Sequence, residues 1–346
     1  MKTYRIGISG AGFGVKAHLP ALLAIPRFEV VALASPSSAA AIAAERKIAH
    51  AFPSAQAMIE GCELDAIAVA SPPFAHRDDT LAALDAGLHV MCEKPFALNV
   101  EEAEEMVAAS RDAGTACAIA HEFRFVPERI AIKELIDNKH LSPLRNIEMT
   151  LFNSWLHRDE LERSRGWWFQ REKGGGACGA LLSHLIDCSN WFVGRPPNRT
   201  LGLLRTANRT RRDPQGEFTS TVDDGDFALL DYGDGLVSRI TVDTTLKVNS
   251  FMIAVHGEDR TAVASGPHVA ANTLYSVDAD ETNELQVKPS KYANLASVHP
   301  NVPYMAELYD EFAKLIDTGT SATLATFQDG LETQRVMAAL GYSVPT

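Results

Sequence analysis

Hydrophobic and polar positions in the first third of the chain alternate between short apolar runs and longer amphipathic stretches. Apolar runs rich in β-branched residues predict strands at residues 5–9, 29–34, 65–70, 88–92 and 115–120. Ala-rich stretches of helical periodicity lie between them, from the first run to about residue 25 and at residues 38–47, 75–87 and 99–114. Because strands and helices alternate, we predict an α/β fold with a doubly wound parallel sheet that is covered by helices on both faces.

After about residue 145 the pattern changes to the period of two that is typical of half-buried strands. It covers residues 146–152, 219–232, 236–243 and 251–257, with Gly233-Asp234-Gly235 as a hairpin turn. Helical patterns remain at residues 128–138, 181–192, 304–317 and 328–340. We interpret residues 198–217, which include five Arg, as a solvated loop. The second part of the chain is therefore predicted to be an α+β domain with a large, mainly antiparallel open sheet.

The two patterns predict two domains, residues 1–122 and residues 123–346, with the C-terminal helices packing back near the junction. The net charge of -12 disfavours nucleic acid as a partner, because an acidic surface repels phosphates. No apolar run reaches the length of about 20 residues that a membrane helix needs, and no signal-peptide core follows Met1. The five cysteines form no CxxC pair, so neither a disulfide framework nor a metal site is predicted. We expect a cytoplasmic protein.

A glycine-rich turn, Gly10-Ala11-Gly12-Phe13-Gly14, follows the first predicted strand and opens a helix. The dinucleotide fingerprint G-x-G-x-x-G would place its third glycine one residue later, where this chain has Val15. An ordinary strand–helix turn is the alternative interpretation. The position at the start of the chain favours a turn that binds a pyrophosphate through Gly10, Gly12, Phe13 and Gly14.

The residue that reads the cofactor ribose is expected at the end of the second strand, where this chain has Ser35. An acid at this position would indicate NAD and a nearby Arg would indicate NADP, but the nearest cations, Arg46 and Lys47, come a helix later. We therefore predict NAD or NADP, with a slight preference for NAD because no cation is near.

Two further motifs come directly after strands, at the carboxyl edge where doubly wound sheets place their chemistry. Glu93-Lys94-Pro95 follows the fourth strand, and a segment from Ser71 and Pro72 to His76 follows the third. Lys94 could equally be an ordinary surface lysine, and His76 a residue that starts a helix. We predict that the cofactor contacts Ser71, Pro72, His76, Glu93 and Lys94. Lys94 is also predicted to contact the substrate.

In the second domain, residues 174–187 combine three successive glycines with His184 and Asp187. The two side chains are three residues apart on a predicted helix and so share one face. A His beside an acid is a plausible general base for a hydroxyl proton, whereas a metal ion needs more ligands than this pair.

Together these motifs resemble the Gfo/Idh/MocA family of oxidoreductases over essentially the whole chain. The resemblance rests on the glycine turn with His18 and Pro20 after it, and on residues 71–76, 93–95, 124–127, 174–187 and 325–331. It implies a Rossmann domain followed by a substrate domain whose open sheet makes homodimer or homotetramer contacts. It also implies hydride transfer between NAD(P) and a hydroxyl carbon of a sugar, a polyol or a derivative.

By position, Lys94 resembles the family's catalytic lysine, and His184 and Asp187 match the last two charged residues of its glycine–histidine motif. The Asp expected four residues before this His is Ala180 here, and the Gly expected two before it is Leu182. His184 and Lys94 could suffice, another acid could substitute, or the chain could have lost catalysis; we favour the first. In the implied mechanism His184 accepts the hydroxyl proton and Lys94 stabilises the developing alkoxide.

Residues 155–171 contain three Trp and four Arg, which is unusual in an acidic protein. Trp168 and Arg165, with His121 and Arg124, could bind an anionic sugar beside Lys94, His184 and Asp187. A solvated or subunit-facing surface on which these Arg residues pair with nearby acids is the alternative interpretation. Besides a sugar or polyol dehydrogenase, two functions stay open: a glycoside-cleaving enzyme that oxidises transiently with bound NAD, and a non-catalytic dinucleotide-binding regulator.

Overall fold

The computed structural model describes residues 2–161, 166–270 and 272–344. The chain forms two compact units, the first made of residues 1–125 and 290–331 and the second of residues 126–289 and 332–346. Residues 290–331, which follow the second sheet in the chain, thus cluster with the N-terminal part. The boundary after residue 122 stays a prediction for independently folding domains. Within the described ranges, no helix has both the length and the apolar character needed to span a membrane.

The strands of the first unit are β1 (Tyr4–Ser9), β2 (Phe28–Ala34), β3 (His50–Phe52), β4 (Ala66–Val69), β5 (His89–Cys92) and β6 (Cys117–Ile119). Those of the second are β7 (Asn146–Phe152), β8 (Arg199–Arg205), β9 (Thr210–Asp213), β10 (Gly216–Thr219), β11 (Gly225–Gly233), β12 (Leu236–Asp243), β13 (Ser250–His256), β14 (Thr261–Gly266), β15 (Thr273–Val277) and β16 (Thr282–Leu285). The helices are α1 (Leu19–Leu23), α2 (Ala39–Arg46), α3 (Ala55–Gly61), α4 (His76–Asp85), α5 (Val100–Ala113), α6 (Pro127–Asp137), α7 (Ser183–Val193), α8 (Val302–Thr318) and α9 (Phe327–Ala339).

The sheet of the first unit is parallel, with the strand order β3-β2-β1-β4-β5-β6. The order reverses between β1 and β4, and ligands of open α/β sheets bind at the carboxyl edge of this switch point. Apolar side chains cover both faces of the sheet, and α8 contributes Tyr309 and Phe312 to one of these cores. The predicted doubly wound parallel sheet is confirmed. The sequence analysis missed β3, a three-residue strand that is largely exposed, and the short helix α3.

The main sheet of the second unit has the order β16-β15-β14-β13-β7-β12-β11-β8. Its neighbouring strands are antiparallel, apart from β7 and β12, which run parallel. One face of β11 and β12 is buried, as the alternating exposure along both strands shows. The predicted large, mainly antiparallel sheet is confirmed.

The interpretation of residues 198–217 as a solvated loop is wrong. This segment contains β8, which is an edge strand, and most of the β9–β10 hairpin. Its arginines are not all solvated, because Arg211 is 1% exposed and pairs with the buried Asp224 at 3.0 Å. Arg205 pairs with Asp243 of β12 at 2.9 Å. The arginines of this segment thus pair with acidic residues that come later in the chain, and the segment forms strands instead of a solvated loop.

Candidate functional site

The glycine turn after β1 has a backbone that only its glycines fit well. Gly10 has a φ of +107°, and a Cβ there would lie 2.1 Å from the carbonyl oxygen of Ala70, the residue directly after β4. A Cβ at Gly12 would meet no atom within 4 Å. Gly10 is thus required by the turn itself, whereas Gly12 keeps open a space beside the start of the helix. This is the cradle that a pyrophosphate needs.

Gly14 takes the part of the third glycine of the fingerprint, although it comes one residue early. A Cβ at Gly14 would lie 2.9 Å from Ile8 Cγ2 and 3.3 Å from Ala70 Cβ, so its absence lets the helix pack closely on the sheet. The helix opens there with a π-helical segment, Gly14–His18, and continues as α1. Phe13 is half-buried, with its ring edge-to-face against His18 at 5.8 Å.

The carboxyl ends of β1 and β4 are joined by a residue that the sequence analysis missed. Asp79, in the first turn of α4, accepts hydrogen bonds from the hydroxyls of Ser9 at 2.7 Å and Ser71 at 2.8 Å. The available signal was an acid at a helix start, which usually serves the helix dipole. Asp79 therefore fixes the two strand ends on which the glycine turn rests.

His76 lies beneath the same edge and is 1% exposed. Its Nε2 is 2.8 Å from the carbonyl oxygen of Ser71, and its Nδ1 is 2.9 Å from that of Pro95. Burial lowers the pKa of His76 despite these carbonyl oxygens. The ring thus links the segment of Ser71 and Pro72 to the segment after β5.

Ser35 follows β2 at the position predicted to read the ribose. Its hydroxyl is 2.9 Å from the hydroxyl of Ser38, at the start of α2. Arg46 pairs with its neighbour Glu45, at the far end of α2. This arrangement suits a ribose hydroxyl and presents no carboxylate to repel a 2′-phosphate.

Glu93, directly after β5, is 5% exposed and is held by a buried chain of hydrogen bonds. Its Oε1 lies 2.7 Å from His18 Nε2, and His18 Nδ1 lies 2.7 Å from the hydroxyl of Tyr309 on α8. Its Oε2 accepts a hydrogen bond from the backbone N–H of Lys94 at 3.2 Å. Burial alone would raise the pKa of Glu93, but the hydrogen bond and charge of His18 and the charge of Lys94 lower it overall. Glu93 is therefore a carboxylate at neutral pH.

Lys94 is half-buried, and its peptide bond to Pro95 is cis. His121 and Glu122 follow the neighbouring strand β6 and are 2% and 1% exposed. Arg124 is also buried; its guanidinium donates to the carbonyl oxygen of Thr323 at 3.3 Å and lies 3.6 Å from the Asp329 carboxylate. The structure thus brings Lys94, His121 and Glu122 to one sheet edge and ties Arg124 to the C-terminal segment of the same unit.

Glu122 was missed by the sequence analysis. Asn301, at the start of α8, donates a hydrogen bond to its Oε1 at 3.0 Å. Burial and the charge of Glu93 raise the pKa of Glu122 to about 8, although the charge of Lys94 acts in the opposite direction. A carboxyl group that titrates near neutral pH at a sheet edge is a candidate for proton transfer.

In the second unit, His184 and Asp187 both lie on α7 and are 2% and 1% exposed. The helix begins with a π-helical segment, Cys178–Leu182, a form that is frequent at functional sites. Ala180, which stands where the family motif has an Asp, lies within this segment, so this position supplies no carboxylate. The predicted placement of His184 and Asp187 on one helix is confirmed, while their roles stay predictions.

A second pair of carboxyl groups, also missed from the sequence, lies at the start of this helical segment. Asp223 accepts a hydrogen bond from the backbone N–H of Cys178 at 2.6 Å and lies 3.4 Å from Arg171. Asp226 is fully buried, and burial together with the charge of Asp223 raises its pKa well above the usual range. A Cβ at Gly176 would lie 2.7 Å from Asp223, which explains a glycine at that position. Its buried position therefore favours the protonated form of Asp226.

Of the predicted aromatic and basic cluster, Trp168 is half-buried and packs edge-to-face on Phe169 at 5.1 Å. Arg171 pairs with Asp223, and Trp155 is 61% exposed. Arg165 lies outside the described residues. In the whole of the described part of the chain, no group of three or more His, Cys, Asp or Glu side chains is arranged to hold a metal ion.

Two models of one protein family match this chain. Residues 4–121 match the model described as an oxidoreductase family with an NAD-binding Rossmann fold, and residues 130–263 match the model of the Gfo/Idh/MocA C-terminal domain. The matches fall on the two parts that the sequence pattern separates and include the glycine turn, Lys94 and His184.

Individual relatives agree with this assignment. The chain is 34% identical over 213 residues to an uncharacterized oxidoreductase of Synechocystis sp., covering 60% of this chain and 56% of the relative. It is 26% identical to D-xylose 1-dehydrogenase (NADP(+)) 2 of Haloferax volcanii, covering 98% and 97% of the two chains. The match spans 56% of the Synechocystis protein and 52% of a levoglucosan dehydrogenase of Pseudarthrobacter phenanthrenivorans, to which the chain is 28% identical.

Among solved structures, a levoglucosan dehydrogenase in complex with NADH and L-sorbose has the same fold, with a TM-score of 0.86 at 22% identity over 99% of this chain and 97% of that one. The fold, the two family models and the motifs at the sheet edge agree. The chain belongs to the Gfo/Idh/MocA family of oxidoreductases.

Proposed function

We propose that this protein is an NAD(P)-dependent dehydrogenase or reductase that transfers a hydride between nicotinamide and a hydroxyl carbon of a sugar, a polyol or an acidic sugar derivative. The observation that carries the proposal is the pyrophosphate cradle of Gly10 and Gly12 on the same sheet edge as Lys94. The relatives support the substrate class, because one is a xylose dehydrogenase and another was solved with L-sorbose.

The residues present fit a dinucleotide. The open space at Gly12 and the N–H groups that start the following helix suit a pyrophosphate, and Ser35 suits a ribose hydroxyl. When bound, the cofactor accepts or supplies the hydride. The residue at this position is a serine rather than an acid, and the nearest cations along the chain, Arg46 and Lys47, come a helix later, so both NAD and NADP are compatible. One relative is named for NADP and the solved relative holds NADH.

Lys94 and His184 are the proposed catalytic residues. As hydride leaves the carbon of a bound alcohol, the hydroxyl proton passes to the imidazole of His184, and the ammonium of Lys94 stabilises the negative charge on the oxygen. The half-buried setting of Lys94 beside the carboxylate of Glu93 and the helical position of His184 with Asp187 support these roles. His121, Arg124, Arg165 and Trp168 stay predicted substrate contacts.

Two measurements test the proposal. Titration of the purified protein with NADH and NADPH, followed by fluorescence, is expected to show exchangeable binding, and a panel of neutral and acidic sugars then gives turnover. Absence of binding to either cofactor would refute the dinucleotide assignment. Tightly retained NAD without net turnover would favour the glycoside-cleaving alternative, and exchangeable binding without any turnover would favour a regulator.

Variants test the residue roles. Replacement of Lys94 or His184 by Ala is expected to lower kcat about 100- to 10,000-fold with little change in cofactor affinity. The exposed residues Lys288 and His268 supply matched controls, since K288A and H268A should keep the wild-type kcat. Turnover retained in both K94A and H184A contradicts the assignment.

Assembly as a homodimer or homotetramer through the second unit's sheet is part of the proposal. Leu201 and Leu203 of β8 lie opposite Leu229 and Phe227 of β11, and these side chains are 56%, 58%, 38% and 37% exposed. Four neighbouring apolar side chains on a solvent-facing sheet are typical of an interface. Light scattering should show an oligomer that L203E dissociates; a monomeric wild-type protein contradicts this.

A cytoplasmic location is also part of the proposal, and the free thiols of the five cysteines suit a reducing compartment.

A further inference from the structure

Two buried carboxyl groups and one lysine meet where the parallel strands β5 and β6 end. Glu93 and Lys94 follow β5 directly, and Glu122 comes three residues after the end of β6. The strands are hydrogen-bonded neighbours, and the N–H of Ala120 donates to the carbonyl oxygen of Cys92 at 2.8 Å, which keeps the two chain segments in register beyond the sheet. Both carboxyl groups are at least nine-tenths buried.

The structure treats the two carboxyl groups differently. Glu93 accepts from Lys94 N–H and is 2.7 Å from His18, which the hydroxyl of Tyr309 holds in place from the other side. Glu122 accepts from the neutral amide of Asn301. Two close carboxylates in a buried cluster repel each other, and because His18 and Lys94 favour the ionised form of Glu93, the proton goes to Glu122.

We propose that Glu122 is a positioning residue that holds the exchangeable proton of this cluster and thereby sets the charge that Lys94 faces. This inference rests on the proposed function for the role of Lys94. With Glu122 neutral, the ammonium of Lys94 balances the single carboxylate of Glu93. When Glu122 loses its proton, a second carboxylate draws the ammonium toward the protein and away from a substrate oxygen.

The charged and titratable groups near Glu122 agree with this direction. Glu93 raises the pKa of Glu122 and Lys94 lowers it, both from the segment after β5; Asn301 faces it from α8. His18 lies 2.7 Å from both the Tyr309 hydroxyl and Glu93 Oε1. With burial included, the pKa of Glu122 reaches about 8, so the carboxyl group is mostly protonated at pH 7 and ionises just above it.

Carbon-13 NMR of protein labelled at the glutamate carboxyl carbons tests the proton's location without any substrate. One glutamate signal is expected to titrate between about pH 7 and pH 9 and to vanish in E122Q. E101Q, which changes an exposed glutamate at the start of α5, should leave that signal unchanged. No glutamate titrating in this range, or a signal that persists in E122Q, overturns the inference. If far-UV circular dichroism shows E122Q unfolded, E122D must move the midpoint instead.

The rate profile tests the consequence for Lys94. In the wild type, kcat should fall about tenfold between pH 7 and pH 9, because a group with a pKa near 8 is then about nine-tenths ionised. E122Q should keep its pH 7 value at pH 9 within about twofold. If kcat of E122Q falls between pH 7 and pH 9 as steeply as that of the wild type, the inference is overturned. Absence of turnover with every sugar, while the carboxyl signal titrates as expected, counts against the proposed function alone.

Discussion

Replacement of His18 by Ala should destabilise the protein by an amount that grows with pH. In the wild type, His18 and Glu93 are 2.7 Å apart, and both are almost completely buried. The pKa of Glu93 is lowered, so its ionised form stabilises the fold above the unfolded-state pKa, and this contribution is lost as the pH falls through the folded-state value. Without His18, the buried carboxylate loses its strongest donor and takes up a proton instead.

The size of the effect follows from the cost of that protonation. An unfolded glutamate has a pKa of about 4.3, so keeping Glu93 protonated at pH 7 costs about 2.7 pH units at about 1.4 kcal/mol each, or roughly 4 kcal/mol. The cavity left by the ring adds about 2 kcal/mol that does not depend on pH. The stability difference between wild type and H18A should therefore grow by about 2 kcal/mol from pH 5.5 to pH 7.

Urea denaturation followed by far-UV circular dichroism at several pH values measures this difference. Y309F is the matched control: it keeps the contact between His18 and Glu93 but removes the tyrosine hydroxyl that hydrogen-bonds to His18 Nδ1. It should cost about 1 kcal/mol at every pH. A stability loss in H18A that stays constant between pH 5.5 and pH 7 would show that His18 does not hold Glu93 ionised, and would refute the reasoning.

Three further predictions concern the cofactor and the second unit. G12A should melt within about 2 °C of the wild type, because its Cβ meets no protein atom, yet bind NADH at least about tenfold more weakly; G10A should also lose stability, since its φ is positive. S35D should weaken NADPH binding about tenfold or more while NADH binding stays near the wild-type value, as a carboxylate repels the 2′-phosphate; S35A is the control for the fluorescence titration. D226N should gain stability relative to the wild type as the pH rises from 5 to 8, because a raised folded-state pKa makes wild-type stability fall as the pH rises above the unfolded-state pKa. A pH-independent D226N difference in urea denaturation contradicts that charge assignment.

The parallel sheet could be predicted from sequence because each of its longer strands is a continuous apolar run between helical stretches. Glycine positions were equally informative, since Gly10 needs a backbone conformation that other residues rarely adopt. The fingerprint spacing was a weaker guide: Gly14 is one residue early, yet it allows the close helix–sheet contact that the third glycine normally provides. Local pattern therefore determined what depends on local backbone.

The buried polar contacts could not be predicted in the same way. Tyr309 is 291 residues from His18 in the chain, and no period or motif links them. Arg211 lies in a segment that the sequence predicts to be a loop, and its burial is explained only by its partner Asp224; Glu122 belongs to none of the motifs identified in the sequence. In each case the chemistry depends on a long-range neighbour that removes water, and composition gives no information about that neighbour.

The two buried carboxyl pairs follow one rule but differ in what they can do. In each pair burial and the charge of the neighbouring carboxylate raise the pKa of one group: Glu122 beside Glu93, and Asp226 beside Asp223. Asp226 lies on β11, and burial together with the charge of Asp223 raises its pKa well above the usual range, which favours its neutral form. The pKa of Glu122 is near 8, so small changes in nearby charge can add or remove its proton. A proton that can be exchanged near neutral pH, next to a lysine, is useful for catalysis. For this reason E122Q is expected to change the pH dependence of the rate, and D226N only the stability.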